Sequence, residues 1–423
     1  MVVAGRRLHI FFLLQFLFVR GLEWECAIGH NSPPQFCTGR SVRVTVFDTG
    51  AEVTVPSSSH RDAVVGESVI GQWNVTVGEG AASSASSART CGDAPAFFFV
   101  IPYNDAFDGK VNYYHYHVDV LLPLFVAFQR KAVLGGGGGH QVSALLVPTV
   151  SRLDWHSSSS SSSSSSSLSS SRAFDWNSPA FSDPETHWVR ALQAMTDEPL
   201  QPFAAGGLGR MAGVQSCFPS AHFGLPSVEH PSSSTVKRFV KFMRSRLRLP
   251  DSPVPCDAAD EIGLVRRTNR RLLLNEAELV ASVVAATGAT VRFLDFGSGY
   301  EADVAAVQSL RVLLGVQGSG LINGWYLPPH SGVVVLYQLG AWDVFDEYLT
   351  PRGPYSYWTN GDPDRSFCNK TIDRFCDSPD TLVDIPAATK VIVDSLAASR
   401  QHCNDSATGA TPGTAAAATR QEL

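Results

Sequence analysis

Four arginines stand close together in one short segment of this sequence, and three of them have side chains suited to hold an anion. Arg267, Arg270 and Arg271 follow an apolar run that predicts a strand. Asn275 is placed to cap the helix that comes next, and the carboxylate of Glu276 in its first turn interacts favourably with the helix dipole. Guanidinium groups at such a junction match the geometry and charge of a diphosphate. A solvated basic loop is the simpler alternative.

A second segment suited to an anion follows a later apolar run. Residues 311–316 predict a strand, and Gln317, Gly318, Ser319 and Gly320 follow it before a segment that predicts a helix. A glycine-rich turn that opens onto a helix exposes backbone N–H groups that suit a phosphate. Glycine also serves ordinary turns, so this segment alone is a weak signal. Because both segments fall in one alternation of strands and helices, we predict a nucleotide diphosphate site.

A third polar group contains side chains that can move a proton. On a helix, Asn112, His115 and Asp119 share one face, and His117 points nearly opposite. A carboxylate one turn from an imidazole forms a possible general-base pair. Two alternatives stay open: on a strand, both histidines and Asp119 would align as metal ligands, or the pair would only join two core helices. Pro123 removes the hydrogen bond to the carbonyl of Asp119 and predicts a loosened helix there.

The composition bounds the class of protein. A chain of 423 residues is long enough for two domains, each with its own core. The net charge of −6 and the charged fraction of 17% argue against nucleic acid as the main partner.

Both chain ends indicate the secretory pathway. Residues 1–22 combine two arginines with an apolar run, which is typical of a signal peptide or the signal anchor of a type II membrane protein. The chain ends in Arg-Gln-Glu-Leu at 420–423, which is similar to the K-D-E-L type of retention signal and predicts its receptor as a partner. We therefore predict residence in the lumen of the endoplasmic reticulum.

Cysteines and glycosylation motifs support the same compartment. The eight cysteines include no zinc-type C-x-x-C pair, so disulfides are predicted, with 26–37 and 368–376 as the close-spaced candidates. N-glycosylation is predicted at Asn74, Asn369 and Asn404.

Low-complexity segments help to divide the chain. Inserts at 81–88, 135–139 and 157–171 cannot bury apolar surface and are predicted to be loops within an N-terminal domain over 41–230. A C-terminal domain is predicted over 234–399, and 405–423 is predicted to be a flexible tail. The second domain would begin with a helix over 234–248. Its apolar face would carry Phe239, Phe242 and Met243, and its solvated face Lys237, Lys241, Arg244 and Arg248.

These residues, in this order, resemble glycosyltransferase family 61 over about residues 105–399. Within the family, members that transfer N-acetylglucosamine are more similar than the plant β-1,2-xylosyltransferases. The segments that carry the resemblance are Asn112, His115 and Asp119 with 121–125, then 217–218, 224–225, 239–243, 267–268, 275–279, 318–321, 327–328 and 383–386.

The resemblance implies an α/β fold of the GT-B type, with two Rossmann-like lobes and a cleft between them. It implies inverting transfer of a sugar, N-acetylglucosamine first, from a UDP-sugar to a hydroxyl group of a protein or glycan. The UDP-sugar is a substrate, and no separate cofactor is expected; dependence on a divalent metal is left open.

The resemblance also implies roles for the residues named above. From the C-terminal lobe, the donor would be held by Arg267, Thr268, Gln317, Gly318, Ser319 and Gly320. From the N-terminal lobe, Asn112, His115 and Asp119 would line the cleft. His115 or Asp119 would take the proton of the acceptor hydroxyl, and Arg267 would stabilise the leaving UDP.

Three positions depart from the family pattern. Gln317 stands where the family usually has His, Val335 where it usually has Glu, and Arg266 where it usually has Ser. The first two departures support an alternative function, a catalytically inactive relative that binds UDP or a glycoprotein. A metal-dependent hydrolase that uses the His115–Asp119 cluster is a further, weaker alternative.

Overall fold

The computed structural model describes the chain in sixteen stretches. These are residues 24–27, 36–47, 50–56, 76–80, 94–103, 113–130, 142–152, 187–198, 215–226, 228, 231–250, 254–268, 270–341, 345–350, 353–368 and 379–408. The predictions for the signal segment, the low-complexity inserts, Asn74, Asn369 and the Arg-Gln-Glu-Leu terminus lie outside these residues. None of the described helices is long and apolar enough to cross a membrane.

The first half of the chain forms a seven-stranded sheet. Its strands are β1 (Trp24–Ala27), β2 (Phe36–Phe47), β3 (Gly50–Pro56), β4 (Thr76–Gly80), β5 (Ala96–Tyr103), β6 (Leu145–Arg152) and β7 (Gln215–Gly224). Their order is β4-β3-β2-β7-β5-β6, and β1 pairs with β2.

This first sheet is mixed. β2 runs antiparallel to β1, β3 and β7, whereas β3/β4, β5/β6 and β5/β7 are parallel. The two-residue connection from β2 to β3 imposes an antiparallel pair, because a parallel pair needs a longer crossover. A Rossmann-like lobe, which the resemblance implies, would instead have a mostly parallel sheet.

Seven α-helical elements lie within the described residues. The first, α1, is continuous through Tyr113–His115, a π-helical stretch Tyr116–Leu121 and Leu122–Arg130. The others are α2 (His187–Met195), α3 (Ser233–Arg246), α4 (Glu276–Thr287), α5 (Tyr300–Ala306), α6 (Asp346–Leu349) and α7 (Ile385–Thr408). Two 3₁₀ segments span Ser319–Tyr326 and Pro363–Arg365.

The second half forms a five-stranded sheet in which every strand pair is parallel. Its strands are β8 (Glu261–Val265), β9 (Thr290–Leu294), β10 (Val312–Val316), β11 (Gly332–Tyr337) and β12 (Tyr355–Thr359), in the order β12-β11-β10-β8-β9. A small antiparallel pair, β13 (Ser366–Phe367) and β14 (Asp380–Thr381), lies beside it.

The strand order of the second sheet fixes where a ligand can bind. The chain runs from β8 outward to β9 and then crosses β8 to continue at β10. Ligands of doubly wound sheets bind outside the carboxyl ends of the strands at this reversal. The arginine segment (residues 266–271) follows β8, and the glycine segment (residues 317–320) follows β10. Both predicted anion-binding segments therefore meet at this edge of the sheet.

Two apolar cores flank the parallel sheet. Leu313, Val333 and Val335 face a core shared with α1, α3, α5 and the 3₁₀ helix Ser319–Tyr326. The alternate residues of the same strands face a second core, closed by α4 and α7. Residues of β10 and β11 are buried on both faces, which explains their continuous apolar runs.

Helix α3 lies between the two halves of the molecule and corrects one prediction. Phe239 contacts Phe125 of α1 and Trp325 of the 3₁₀ helix, with ring centroids 5.6 and 5.0 Å apart. Arg244, predicted on the solvated face, is only 2% exposed. Its guanidinium donates to the carbonyls of Tyr326 and Leu327 at 2.6 and 2.8 Å, and to that of Pro250. Hydrogen bonds to three carbonyls offset the free-energy cost of removing this charged side chain from water.

One disulfide joins distant parts of the described chain. Cys256 and Cys403 are bonded across 147 residues, with a Cα–Cα distance of 5.7 Å, which ties α7 to the segment that precedes β8. The sequence did not identify this pair. The backbone register sets Cys26 opposite Cys37, and Cys368 is disulfide-bonded, so the two close-spaced pairings stay predictions.

Replacing Arg244 with Met should strongly destabilise the protein. The change removes the donor to three carbonyls in a buried setting, at a cost of about 3 kcal/mol in the free energy of unfolding. Lys241→Met, on the exposed face of the same helix, should change that free energy by less than about 0.5 kcal/mol. Urea unfolding measures both; equal effects would contradict the role given to Arg244.

Candidate functional site

The arginine and glycine segments are in direct contact. A Cβ placed on Gly318 would lie 1.9 Å from Nη1 of Arg267, so the guanidinium occupies the space that any other side chain would need. The φ of Gly318 is 178°, an extended conformation open to every residue. Glycine is therefore required here by space and not by backbone geometry.

Backbone donors of a helix start lie beside this guanidinium. Gly318 precedes the 3₁₀ helix Ser319–Tyr326 and provides no side-chain cap. The first intrahelical bond at this end comes from Leu321 N–H to Gly318 O at 3.0 Å, so the N–H groups of Ser319 and Gly320 precede it. Phe296, which follows β9, lies against Gly320, where an added Cβ would be 2.9 Å from its ring.

The charge of Arg267 is poorly compensated. Burial and, to a smaller extent, the neighbouring cations Arg271 and Arg270 together lower its pKa to about 10. Its Nε donates to the carbonyl of Arg270 at 2.9 Å, and Arg271 Nη1 donates to the carbonyl of Gln317 at 3.2 Å. No carboxylate in the described part of the chain forms an ion pair with Arg267. An anion bound here would offset the repulsion between the cations.

The two sequence neighbours of Arg267 do not contribute to this contact in the same way. Arg266 turns away from the site: it pairs with Glu276 at 2.8 Å and lies 3.8 Å above the ring of Phe293. Thr268 is exposed and makes no hydrogen bond to a described residue. Its predicted donor contact stays a prediction.

Asn275 lies at the predicted cap position, but its side chain bonds to another segment of the chain. It precedes α4 without a side-chain cap bond. Its Oδ1 accepts from Val383 N–H at 3.0 Å, and its Nδ2 donates to Val383 O at 2.9 Å. The amide thus joins two segments, 275–279 and 383–386, that the family resemblance named separately.

His115 and Asp119 form the predicted pair on α1. His115 Nδ1 and Asp119 Oδ2 are 2.8 Å apart, and the two side chains are 56% and 51% exposed. The helix widens into its π-helical stretch here, where Leu122 N–H bonds to His117 O, five residues back. The loosening predicted from Pro123 is confirmed at this position. Asn112 lies outside the described residues.

His117 rules out the proposed row of metal ligands. Because residues 113–121 are helical, its side chain points away from His115 and is fully buried. Its Nδ1 and Nε2 contact Tyr113 O at 2.8 Å and Tyr326 OH at 3.1 Å. In the part of the chain that is described, no group of three His, Cys, Asp or Glu residues could hold a metal ion.

The two departures from the family pattern are both buried. Gln317 is 7% exposed, and its Oε1 accepts from Gln338 Nε2 at 3.0 Å. Val335 is fully buried within β11. Sequence reasoning missed Gln338, although it follows a strand parallel to β10 and so had to lie beside Gln317.

Replacing Gly318 with Ala should displace the guanidinium and weaken anion binding. The collision partner is the flexible end of Arg267, so the fold should survive, whereas affinity for inorganic pyrophosphate should fall about ten-fold or more. Gly361→Ala is the matched control, since no heavy atom lies within 4 Å of its added Cβ. Calorimetric titration measures both variants. Unchanged pyrophosphate affinity in Gly318→Ala would refute an anion site at this contact.

Comparison with known proteins identifies the family of the chain. A model of the family Glycosyltransferase 61 matches residues 113–334, more than half of the chain. The chain is also 31% identical over 148 residues to the beta-1,2-xylosyltransferase XAX1 of Oryza sativa subsp. japonica. That match covers 31% of this chain and 26% of the relative, so the chain spans about a quarter of the curated relative's length. Residues 113–334, which the family model matches, contain α1, the arginine segment and the glycine segment, and the protein belongs to glycosyltransferase family 61.

Proposed function

We propose that this protein is an inverting glycosyltransferase that transfers a sugar from a UDP-sugar to a hydroxyl group of a protein or glycan. The observation that supports this most directly is the contact between Arg267 and Gly318 at the strand reversal of the parallel sheet. A GT-B arrangement, with the acceptor bound from the side of α1, belongs to the proposal.

The donor diphosphate would bind at the carboxyl ends of β8 and β10. Arg267 supplies a partly buried cation, and Ser319 and Gly320 supply backbone N–H groups at the start of a helix. Positive groups fixed in place beforehand stabilise the charge that develops on a departing diphosphate. Arg271, anchored on the carbonyl of Gln317, adds a second cation to the same turn.

The proton of the acceptor hydroxyl would pass to the His115–Asp119 pair. Asp119 orients the ring through Nδ1, so Nε2 would receive the proton. The acceptor oxygen then forms a bond to the anomeric carbon as the bond from that carbon to the phosphate oxygen breaks. UDP leaves with the electron pair, and the configuration at the anomeric carbon inverts.

N-acetylglucosamine is the first candidate for the sugar, and xylose is the second. The family resemblance favours N-acetylglucosamine, whereas the rice relative is named as a xylosyltransferase. The two UDP-sugars differ in the acetamido group and in the sixth carbon. A direct comparison of these two donors therefore decides between them.

We place the reaction in the lumen of the endoplasmic reticulum. Residues 1–22 and the terminal Arg-Gln-Glu-Leu motivate this location, with the retention receptor as a partner. The disulfide between Cys256 and Cys403 is consistent with an oxidising compartment.

An inactive, UDP-binding relative is the alternative function. Val335 is sealed inside β11, where it offers no polar group to a sugar hydroxyl, and the amide of Gln317 is engaged by Gln338. Binding of UDP without turnover of any UDP-sugar would select this alternative.

A donor screen with Arg267→Leu as its control tests the donor site. The wild-type protein should release UDP from one UDP-sugar and bind UDP, and Arg267→Leu should lose both activities. Because burial and two cations lower the pKa of Arg267, its charge is unfavourable in the empty fold. The melting temperature of Arg267→Leu should therefore not fall below that of wild type. A wild-type protein that neither binds UDP nor turns over a UDP-sugar would end the proposal.

The acid–base role predicts a different pattern for His115→Ala. Turnover should fall by about 10²- to 10⁴-fold, because the general base is lost. UDP affinity should stay within about two-fold, because Arg267 and the backbone N–H groups of Ser319 and Gly320 are unchanged. Asp119→Asn should lower kcat in the same direction but less. Full turnover in His115→Ala, measured as UDP release, would remove this residue from the mechanism.

A further inference from the structure

Two consecutive hydrogen bonds connect the start of α1 to the glycine segment, residues 317–320, called the glycine turn below. Tyr113 OH donates to Asn323 Oδ1 at 3.0 Å, and Asn323 Nδ2 donates to Gly320 O at 3.1 Å. Asn323 is fully buried. Tyr113 lies two residues before His115 on the same helix, and Gly320 belongs to the turn that faces Arg267.

The direction of these bonds is fixed by chemistry. Burial raises the pKa of Tyr113 well above its usual value, with a smaller contribution from Tyr326, so the phenol keeps its proton at neutral pH. The carbonyl of Gly320 can only accept, so it must face the amide nitrogen of Asn323; the amide oxygen then faces the Tyr113 hydroxyl, which donates. One orientation of Asn323 therefore satisfies both neighbours.

We propose that Tyr113 and Asn323 are positioning residues that hold the glycine turn at a set distance from the His115–Asp119 pair. Neither would touch the reacting atoms. Their task is to link the element that carries the base to the turn that would hold the donor, so that base, acceptor and anomeric carbon come into line. This inference rests on the proposed function.

A second hydrogen-bonded link joins α1 to the same 3₁₀ helix. It provides a control that separates the effect of the Tyr113–Asn323 link from a general loss of stability. His117 Nε2 bonds to Tyr326 OH at 3.1 Å, and Tyr326 OH bonds to Tyr300 OH at 2.7 Å. This link ends at α5 and at the far end of the 3₁₀ helix, away from Gly320. The hydroxyl of the fully buried Tyr300 can thus be removed without touching the glycine segment.

The physical reason to expect an effect on catalysis is the sensitivity of reaction rates to alignment. A displacement of about 1 Å at the reacting groups can cost roughly 10²-fold in rate. Nucleotide binding depends on the charge of Arg267 and on backbone N–H groups within the second half of the molecule. A small shift between α1 and the turn should therefore alter turnover more than nucleotide affinity.

The test compares Tyr113→Phe, Asn323→Ala and their combination with the control Tyr300→Phe. Turnover is measured as UDP release from the UDP-sugar that wild type uses best, with water as acceptor, and binding as the affinity for UDP. Tyr113→Phe and Asn323→Ala should each lower kcat by roughly ten- to a hundred-fold. UDP affinity in Tyr113→Phe should stay within about two-fold of wild type. The double variant should be no worse than Asn323→Ala alone, because both changes break one chain.

The control distinguishes a positioning role from a general loss of stability, and UDP binding by wild type tests the proposed function separately. Tyr300→Phe should lower the melting temperature about as much as Tyr113→Phe while leaving kcat unchanged. Equal losses of kcat in both, or additive losses in the double variant, would overturn the positioning role. Should Tyr113→Phe not fold, Asn323→Ala against Tyr300→Phe decides alone. Absence of UDP binding by wild type would refute the proposed function itself, which is a different result from normal kcat in the variants.

Discussion

The contact between Arg267 and Gly318 is the constraint around which the second half of the molecule is arranged. It needs two neighbouring parallel strands whose following turns meet at one edge, one turn supplying a cation and the other lacking a side chain. Burial and two further arginines make that cation costly in the empty protein. A fold tolerates such a group only where the rest of the structure compensates for it, and such groups concentrate at ligand sites.

The polar contacts between the two halves are as specific as the apolar ones. Tyr113 and His117 of α1 bond to Asn323 and Tyr326 of a single 3₁₀ helix, and Arg244 of α3 donates to carbonyls at the end of that helix. The 3₁₀ helix thus carries the glycine turn at its start and its attachments to the other half along the rest of its length. Since a buried polar group without a partner is costly, these bonds fix one relative placement of the elements.

The local patterns of the sequence were informative where one strong physical preference dominates. The apolar run bounded by charge and glycine predicted β10 within one residue. Pro123 predicted the loosened turn of α1 because a missing N–H acts locally. The helix after Gln317 was predicted, but its 3₁₀ form was not. Arg244 was placed on the wrong face of α3, because helical periodicity cannot register three carbonyls that arrive from residues 250, 326 and 327.

The sequence by itself determined the alternation of strands and helices, the two segments suited to an anion and the pairing of His115 with Asp119. All of these depend on neighbours within a few residues or on one chemical preference. Only the tertiary structure decided that Arg267 fills the space above Gly318, that His117 is a buried link and not a metal ligand, and that Cys256 bonds to Cys403. Each of these depends on groups 51 to 209 positions apart in the chain. Their proximity is set by the order of the strands and the packing of the helices, which no local pattern encodes.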